Sequence, residues 1–187
     1  MDNIFEAAVR FALEAHRGQI RKDGGVYILH PLEVATIVGT VSNDPELLAA
    51  AVLHDTVEDT AVTSEDLLRS FGPRVADLVA HETENKRPEM DPRDSWLIRK
   101  QESLAALKGS SRDAKILWLG DKLSNMRALA REFAVIGEPV FARFNEPDPK
   151  KQGWYHATVL DYIKELSDYP AYREYEALYH QVFDHYE

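Results

Sequence analysis

The 187 residues suit a single domain. At 44% hydrophobic residues they can bury a core, and the absence of cysteine excludes disulfides, zinc–thiolate sites and cysteine nucleophiles. A formal net charge of −10 argues against a general nucleic-acid binder or a protein of anionic membranes. It leaves room for a small phosphorylated ligand, which needs only local cations or a bound metal. The opening residues lack a basic leader, and no apolar run approaches the roughly 20 residues that span a bilayer. A soluble, cytoplasmic protein with no membrane or nucleic-acid partner is therefore expected, its oligomeric state left open.

Residues 4–16 place Ile4, Ala8, Phe11, Ala12 and Ala15 at helical spacing. A polar loop follows over 17–25. Pro31 suits the first turn of a second helix, which Asn43-Asp44-Pro45 ends. A third helix is expected over 46–58, with 49–53 buried all round. Thr63 or Ser64 caps a short helix ending near Phe71-Gly72, and Pro73 opens the next. Residues 85–92 read as a loop, and helices are expected at 94–108 and 112–133. The three prolines of 138–153 mark another loop. Helices over 154–166 and 171–186, split by Pro170, close the chain. No strand or repeat is evident, so the expected fold is all-α: one domain over 1–187, with a core of about 5–133 and C-terminal helices of about 154–186 packed on it.

The segment Leu53-His54-Asp55-Thr56-Val57-Glu58-Asp59-Thr60 gathers an imidazole and three carboxylates just after an apolar stretch. On a helix, His54 shares a face with Glu58 and Asp55 with Asp59. Such crowding is costly unless a cation sits among the charges. His30 stands at a loop-to-helix junction, and Asp121 lies on an apolar helix with Asn125 one turn on. Two imidazoles and two carboxylates suit Mn²⁺, Fe²⁺ or Zn²⁺ better than Ca²⁺. Spacing alone leaves a second reading open, in which His30 hydrogen-bonds its loop and Asp121 pairs with Lys122 or Arg127.

Taken in order, His30, His54-Asp55 and Asp121 resemble the H…HD…D signature of the HD phosphohydrolases. More narrowly, residues 5–133 resemble the hydrolase domain of the RelA/SpoT alarmone enzymes and the stand-alone small alarmone hydrolases. The matching stretches are 15–22, 27–35, 53–60, 71–79 and 120–127. The resemblance implies a compact multi-helix HD fold and an Mn²⁺-dependent enzyme that removes pyrophosphate from the 3′ position of (p)ppGpp. His30, His54, Asp55 and Asp121 would hold the metal, and Glu58 and Asp59 would act on the nucleophilic water. Arg21 and Lys22 would sit beside the nucleotide, with Asn125 near its ribose and Lys122 a further substrate contact. Nothing after residue 187 would leave room for a synthetase domain, so a hydrolase-only protein is expected.

Departures from the family pattern bear on the substrate. The family's Gly-Val-Thr-Lys becomes His81-Glu82-Thr83-Glu84, and Trp118, Gly120 and Ser124 replace Lys, Ala and His. The same metal chemistry would serve ppApp, the 2′-phosphate of NADPH or a nucleoside phosphate. Lys150-Lys151-Gln152-Gly153-Trp154-Tyr155-His156 forms a basic-aromatic cluster, with Lys151 and Tyr155 as candidate substrate contacts. The alternative for these aromatics is core packing, as expected for the tyrosines of the tail, with His180 and His185 incidental.

Overall fold

In the computed structural model, described over residues 3–22 and 24–186, ten α-helices and three short 3-10 segments are present and no strand is. Residues 1, 2, 23 and 187 lie outside the described residues, and with them both ends of the expected domain and one position of the expected 17–25 loop. An isolated antiparallel bridge, Ile20 to Val26, closes that loop.

The apolar stretch after Asp44 becomes the central helix. Asp44 accepts from the N–H groups of Glu46 and Leu47, and Pro45 occupies the first turn, where its missing N–H costs nothing. The resulting α3 (Pro45–Leu53) has Ala49, Ala50, Ala51, Val52 and Leu53 fully buried, as a helix surrounded on all sides must be. Around it pack α1 (Ile4–Ala15), α2 (Leu29–Gly39), α6 (Pro73–Glu82) and α8 (Arg112–Ile136).

The third helix is shorter than expected. It stops at Leu53, and a separate turn, α4 (Thr56–Asp59), follows. The cause is local. His54 Nδ1 bonds the carbonyl of Ala51 (2.9 Å) and Thr56 Oγ1 bonds that of Leu53 (2.7 Å), so side chains satisfy the helix's last acceptors. His54 and Asp55 thereby sit on the break itself, above the end of the core.

The helix ends read from the sequence recur in α5 (Ser64–Phe71), where Thr63 and Asp66 form a capping box. They recur in α7 (Trp96–Lys108) and in α8, capped by Ser111. The expected loop at 138–153 is only partly a loop. Glu138–Arg143 is a 3-10 segment and α9 (Pro149–Tyr162) begins four residues before Gly153, with Asp148 as its cap. The Asp-Pro pair starts a helix rather than breaking one. In α10 (Pro170–Phe183), Tyr172, Tyr175 and Tyr179 are buried as packing groups, while His180 is exposed. Among the described residues, no helix is long and apolar enough to cross a membrane.

One crossing positions the site. Gly120 lets α8 approach α2 closely, since a Cβ there would lie 2.8 Å from Val38 Cγ2 and 3.2 Å from the Val34 carbonyl oxygen. That contact brings His30 of α2 beside Asp121 of α8.

Candidate metal centre

His30, His54 and Asp121 converge with one potential ligand atom each, all within 4.8 Å of one another and all buried. His30 Nε2 lies 3.0 Å from Asp121 Oδ1 and 3.5 Å from Asp55 Oδ2. His54 Nε2 lies 3.1 Å from Asp55 Oδ2 and 3.6 Å from Asp121 Oδ1. Asp55 stands outside the tightest trio yet puts one oxygen against both imidazoles. The four residues read from the sequence thus meet at one point, although they come from α2, the α3–α4 break and α8.

The donor set fits a divalent cation. A carbonyl oxygen can only accept, so His54 Nδ1 donates to it and Nε2 is the ring nitrogen left for a cation or a second proton. That atom is buried without a hydrogen-bond partner and faces two carboxylates. Burial works to lower the His54 pKa, but Asp55 foremost, with Asp121, holds it well above its usual value. Burial likewise works to raise Asp55 and Asp121. His54 outweighs it for Asp55, and Lys122 with the two imidazoles for Asp121, so both stay below the ordinary carboxylate range. The cluster demands positive charge, which protons or a metal can supply.

Glu58 lines the adjoining cavity, and its Oε2 accepts the backbone N–H of Glu84 (3.0 Å). Burial raises its carboxyl above the usual value. Asp59 is not in the cavity wall; its Oδ2 lies 2.6 Å from the hydroxyl of Tyr27 and its Oδ1 pairs with Lys86. Tyr27 was not singled out from the sequence, yet its hydroxyl also lies 2.6 Å from Asp55 Oδ2. Only its place three residues before His30 hinted at the site.

The cavity has a volume of about 410 Å³, within the usual range for small-molecule sites. Its basic wall consists of Arg21, Lys22, Arg99, Lys100, Lys122 and Arg143, a local concentration of cations on a chain of net charge −10. Arg21 donates to Asn125 (2.9 Å), which donates to Asp121 (2.6 Å), so the expected nucleotide contacts join the metal ligands directly. Lys122 binds Asp121 and lies 4.4 Å over the Trp118 ring. Glu84, where the family pattern has lysine, is neutralised by Arg99 (2.9 Å) and Lys100 (2.6 Å) of α7. Glu82 also lines the cavity with both oxygens unbonded, its carboxyl pushed up to about 8, first by burial and then by Asp121.

The C-terminal cluster divides. Tyr155 is buried and lines the cavity, its hydroxyl without a hydrogen-bond partner. Lys151 does not reach it: the side chain is exposed and turned back to Glu146 (2.7 Å). Arg143, from the 3-10 segment, supplies the cation instead. It lay in a stretch read as a featureless loop, where no periodicity could mark it.

The sequence model of the HD domain matches residues 8–147. The chain belongs to the HD domain family. Within that family it is 41% identical over 129 residues to the guanosine-3′,5′-bis(diphosphate) 3′-pyrophosphohydrolase MESH1 of Danio rerio, covering 66% of this chain and 67% of that protein. It is 35% identical over 128 residues to the GTP pyrophosphokinase rsh of Brucella melitensis, and spans 17% of that longer protein. Among solved structures, a metazoan ortholog of SpoT described as hydrolysing ppGpp superposes with a TM-score of 0.76 at 26% identity, over 97% of this chain and 96% of that one. The protein lmo0812 of Listeria monocytogenes superposes with a TM-score of 0.72 at 29% identity, over 89% of this chain and 99% of its own. The HD fold therefore extends through the C-terminal helices that the sequence resemblance did not cover.

Proposed function

We propose that this HD protein is a metal-dependent phosphohydrolase that removes pyrophosphate from the 3′ position of (p)ppGpp, leaving GDP or GTP. The observation that supports it is the buried His54 Nε2, without a hydrogen-bond partner, facing Asp55 and Asp121 beside a cation-lined cavity. We read His30, His54, Asp55 and Asp121 as the ligands of Mn²⁺ or another divalent transition metal. The likeness to MESH1 favours the alarmone as substrate. The remaining readings are one hydrolase domain over 1–187 and a cytoplasmic location.

When bound, the cation supplies charge against the phosphoryl oxygens and acidifies an adjacent water. Glu58, ordered by the Glu84 N–H, accepts the proton of the attacking water. Asp59 acts one step back, through Tyr27 and Asp55. Arg21, oriented by Asn125, offers its planar guanidinium to base or phosphate. Lys22, Lys122 and Tyr155 line the remainder of the nucleotide cavity.

A second reading, hydrolysis of ppApp, NADPH or another nucleotide, draws on Glu82. An unbonded buried carboxyl group favours a ligand that presents a hydrogen-bonding group there. Incubation of the Mn²⁺-loaded protein with ppGpp, ppApp and NADPH, following pyrophosphate and phosphate separately, tests both. Pyrophosphate from ppGpp supports the first reading; phosphate from NADPH alone overturns it in favour of the second.

A further inference from the structure

From His30 a continuous chain of hydrogen bonds runs out to an exposed ion pair with α10. His30 Nδ1 lies 2.8 Å from Ser124 Oγ, and Ser124 Oγ donates to Glu33 Oε2 at 2.7 Å. Glu33 Oε1 accepts from Arg127 Nη1 at 3.0 Å. Arg127 in turn grips both oxygens of Glu174, on α10, at 2.6 and 2.7 Å.

The direction of every proton in this chain is determined. Arg127 only donates, so Glu33 receives. Burial works to raise Glu33, but its bonds from Ser124 and Arg127 hold it below the usual carboxylate range, so it is ionised and can only accept. The single hydroxyl proton of Ser124 is therefore committed to Glu33, and its oxygen must accept from His30 Nδ1–H. His30 Nε2, pointing at Asp121 and Asp55, is thereby the ring nitrogen left to take a cation.

We propose that Ser124 is a positioning residue that locks the metal-binding tautomer of His30, and that the Glu33–Arg127–Glu174 chain couples helix α10 to cation affinity. The inference rests on the reading of His30 as a ligand. It goes beyond that reading because Ser124 stands where the family pattern has histidine, and Glu174 lies outside the 8–147 match. Ligand imidazoles held by such outer hydrogen bonds lose about 10- to 100-fold in metal affinity when the partner is removed.

The test is Mn²⁺ titration of the metal-free full chain against a competing chelator, with wild type, Ser124→Ala, Glu174→Gln, the double variant and His30→Ala. Ser124→Ala is expected to bind about 10-fold more weakly. Glu174→Gln is expected to bind about 3-fold more weakly alone and to add nothing on top of Ser124→Ala. A purely structural role would make the two losses additive, and that result overturns the coupling. Unchanged affinity in Ser124→Ala, with binding lost in His30→Ala, overturns the relay and leaves the metal site standing. Unchanged affinity in His30→Ala overturns both. As a readout independent of affinity, ¹⁵N chemical shifts of His30 in the Zn²⁺-loaded wild type should show a protonated Nδ1 and an unprotonated, metal-bound Nε2; a protonated Nε2 contradicts the inference.

Discussion

The hydroxyl of Tyr27 lies 2.6 Å from Oδ2 of Asp55, the same oxygen that faces His54 Nε2 at 3.1 Å. The loop before α2 therefore reaches the same carboxylate oxygen of a proposed metal ligand as His54 does. Tyr27→Phe removes a hydrogen bond to an ionised group while keeping the ring that stacks on His16. A metal affinity about 10-fold weaker is expected, measured by cation titration with the fold checked by circular dichroism.

Glu58→Gln keeps size and the Glu84 contact but cannot accept a proton. The expected result is a loss of about 10²- to 10⁴-fold in kcat with KM and metal content near wild type. Because burial raises the Glu58 carboxyl, the acid limb of the wild-type rate profile should lie above the ordinary 4.5. A Gln variant with full activity would transfer the base role elsewhere.

Much of this arrangement was legible in the sequence, and the reasons are local. Caps and prolines announced α3, α5, α6 and α8, and the H…HD…D residues converge as their pattern implied. What the sequence could not show lies in contacts between distant segments. The break at His54 depends on side chains capturing the carbonyls of Ala51 and Leu53. The separation of Glu58 from Asp59 depends on Tyr27 and Lys86. Lys151 was placed on the nucleotide from its neighbourhood, but Glu146 in the preceding loop captures it.

Lys151 and the cations that do line the cavity give a paired test. Arg143→Met and Lys22→Met each remove a cation from the cavity wall, and KM for the nucleotide should rise roughly tenfold, the effect of losing one charge-assisted hydrogen bond. Lys151→Met should leave KM unchanged. Steady-state kinetics at fixed ionic strength distinguishes them.

Gly120 permits the α2–α8 approach that unites His30 with Asp121. In Gly120→Ala the new methyl meets Val38 at 2.8 Å, tighter than side chains tolerate. Overpacking of this kind costs about 1–3 kcal/mol, of which better helix propensity returns up to about 1 kcal/mol. Urea unfolding should show the net loss, and metal titration a weaker site.

His156 is buried against Tyr175 (2.7 Å) and pushed down to about 3, by burial first and then by Lys122. The unfolded chain takes up this proton near 6.5 and the folded one only near 3. Between those values the unfolded state binds more protons, so stability falls as pH falls, by on the order of 2 kcal/mol at pH 5. His54, raised in the metal-free protein, works in the opposite sense. The difference between wild type and His156→Gln, unfolded in urea with chelator at pH 7 and pH 5, isolates the His156 share. The variant should lose less stability on acidification than wild type.

The most direct test of the account is to titrate divalent metal back into the chelator-stripped protein, following bound metal and pyrophosphate release from ppGpp in the same sample. Activity should rise in proportion to occupancy and saturate at one equivalent, with His54→Ala showing neither binding nor release. Pyrophosphate release by the stripped protein, or tight metal binding by His54→Ala, would contradict it.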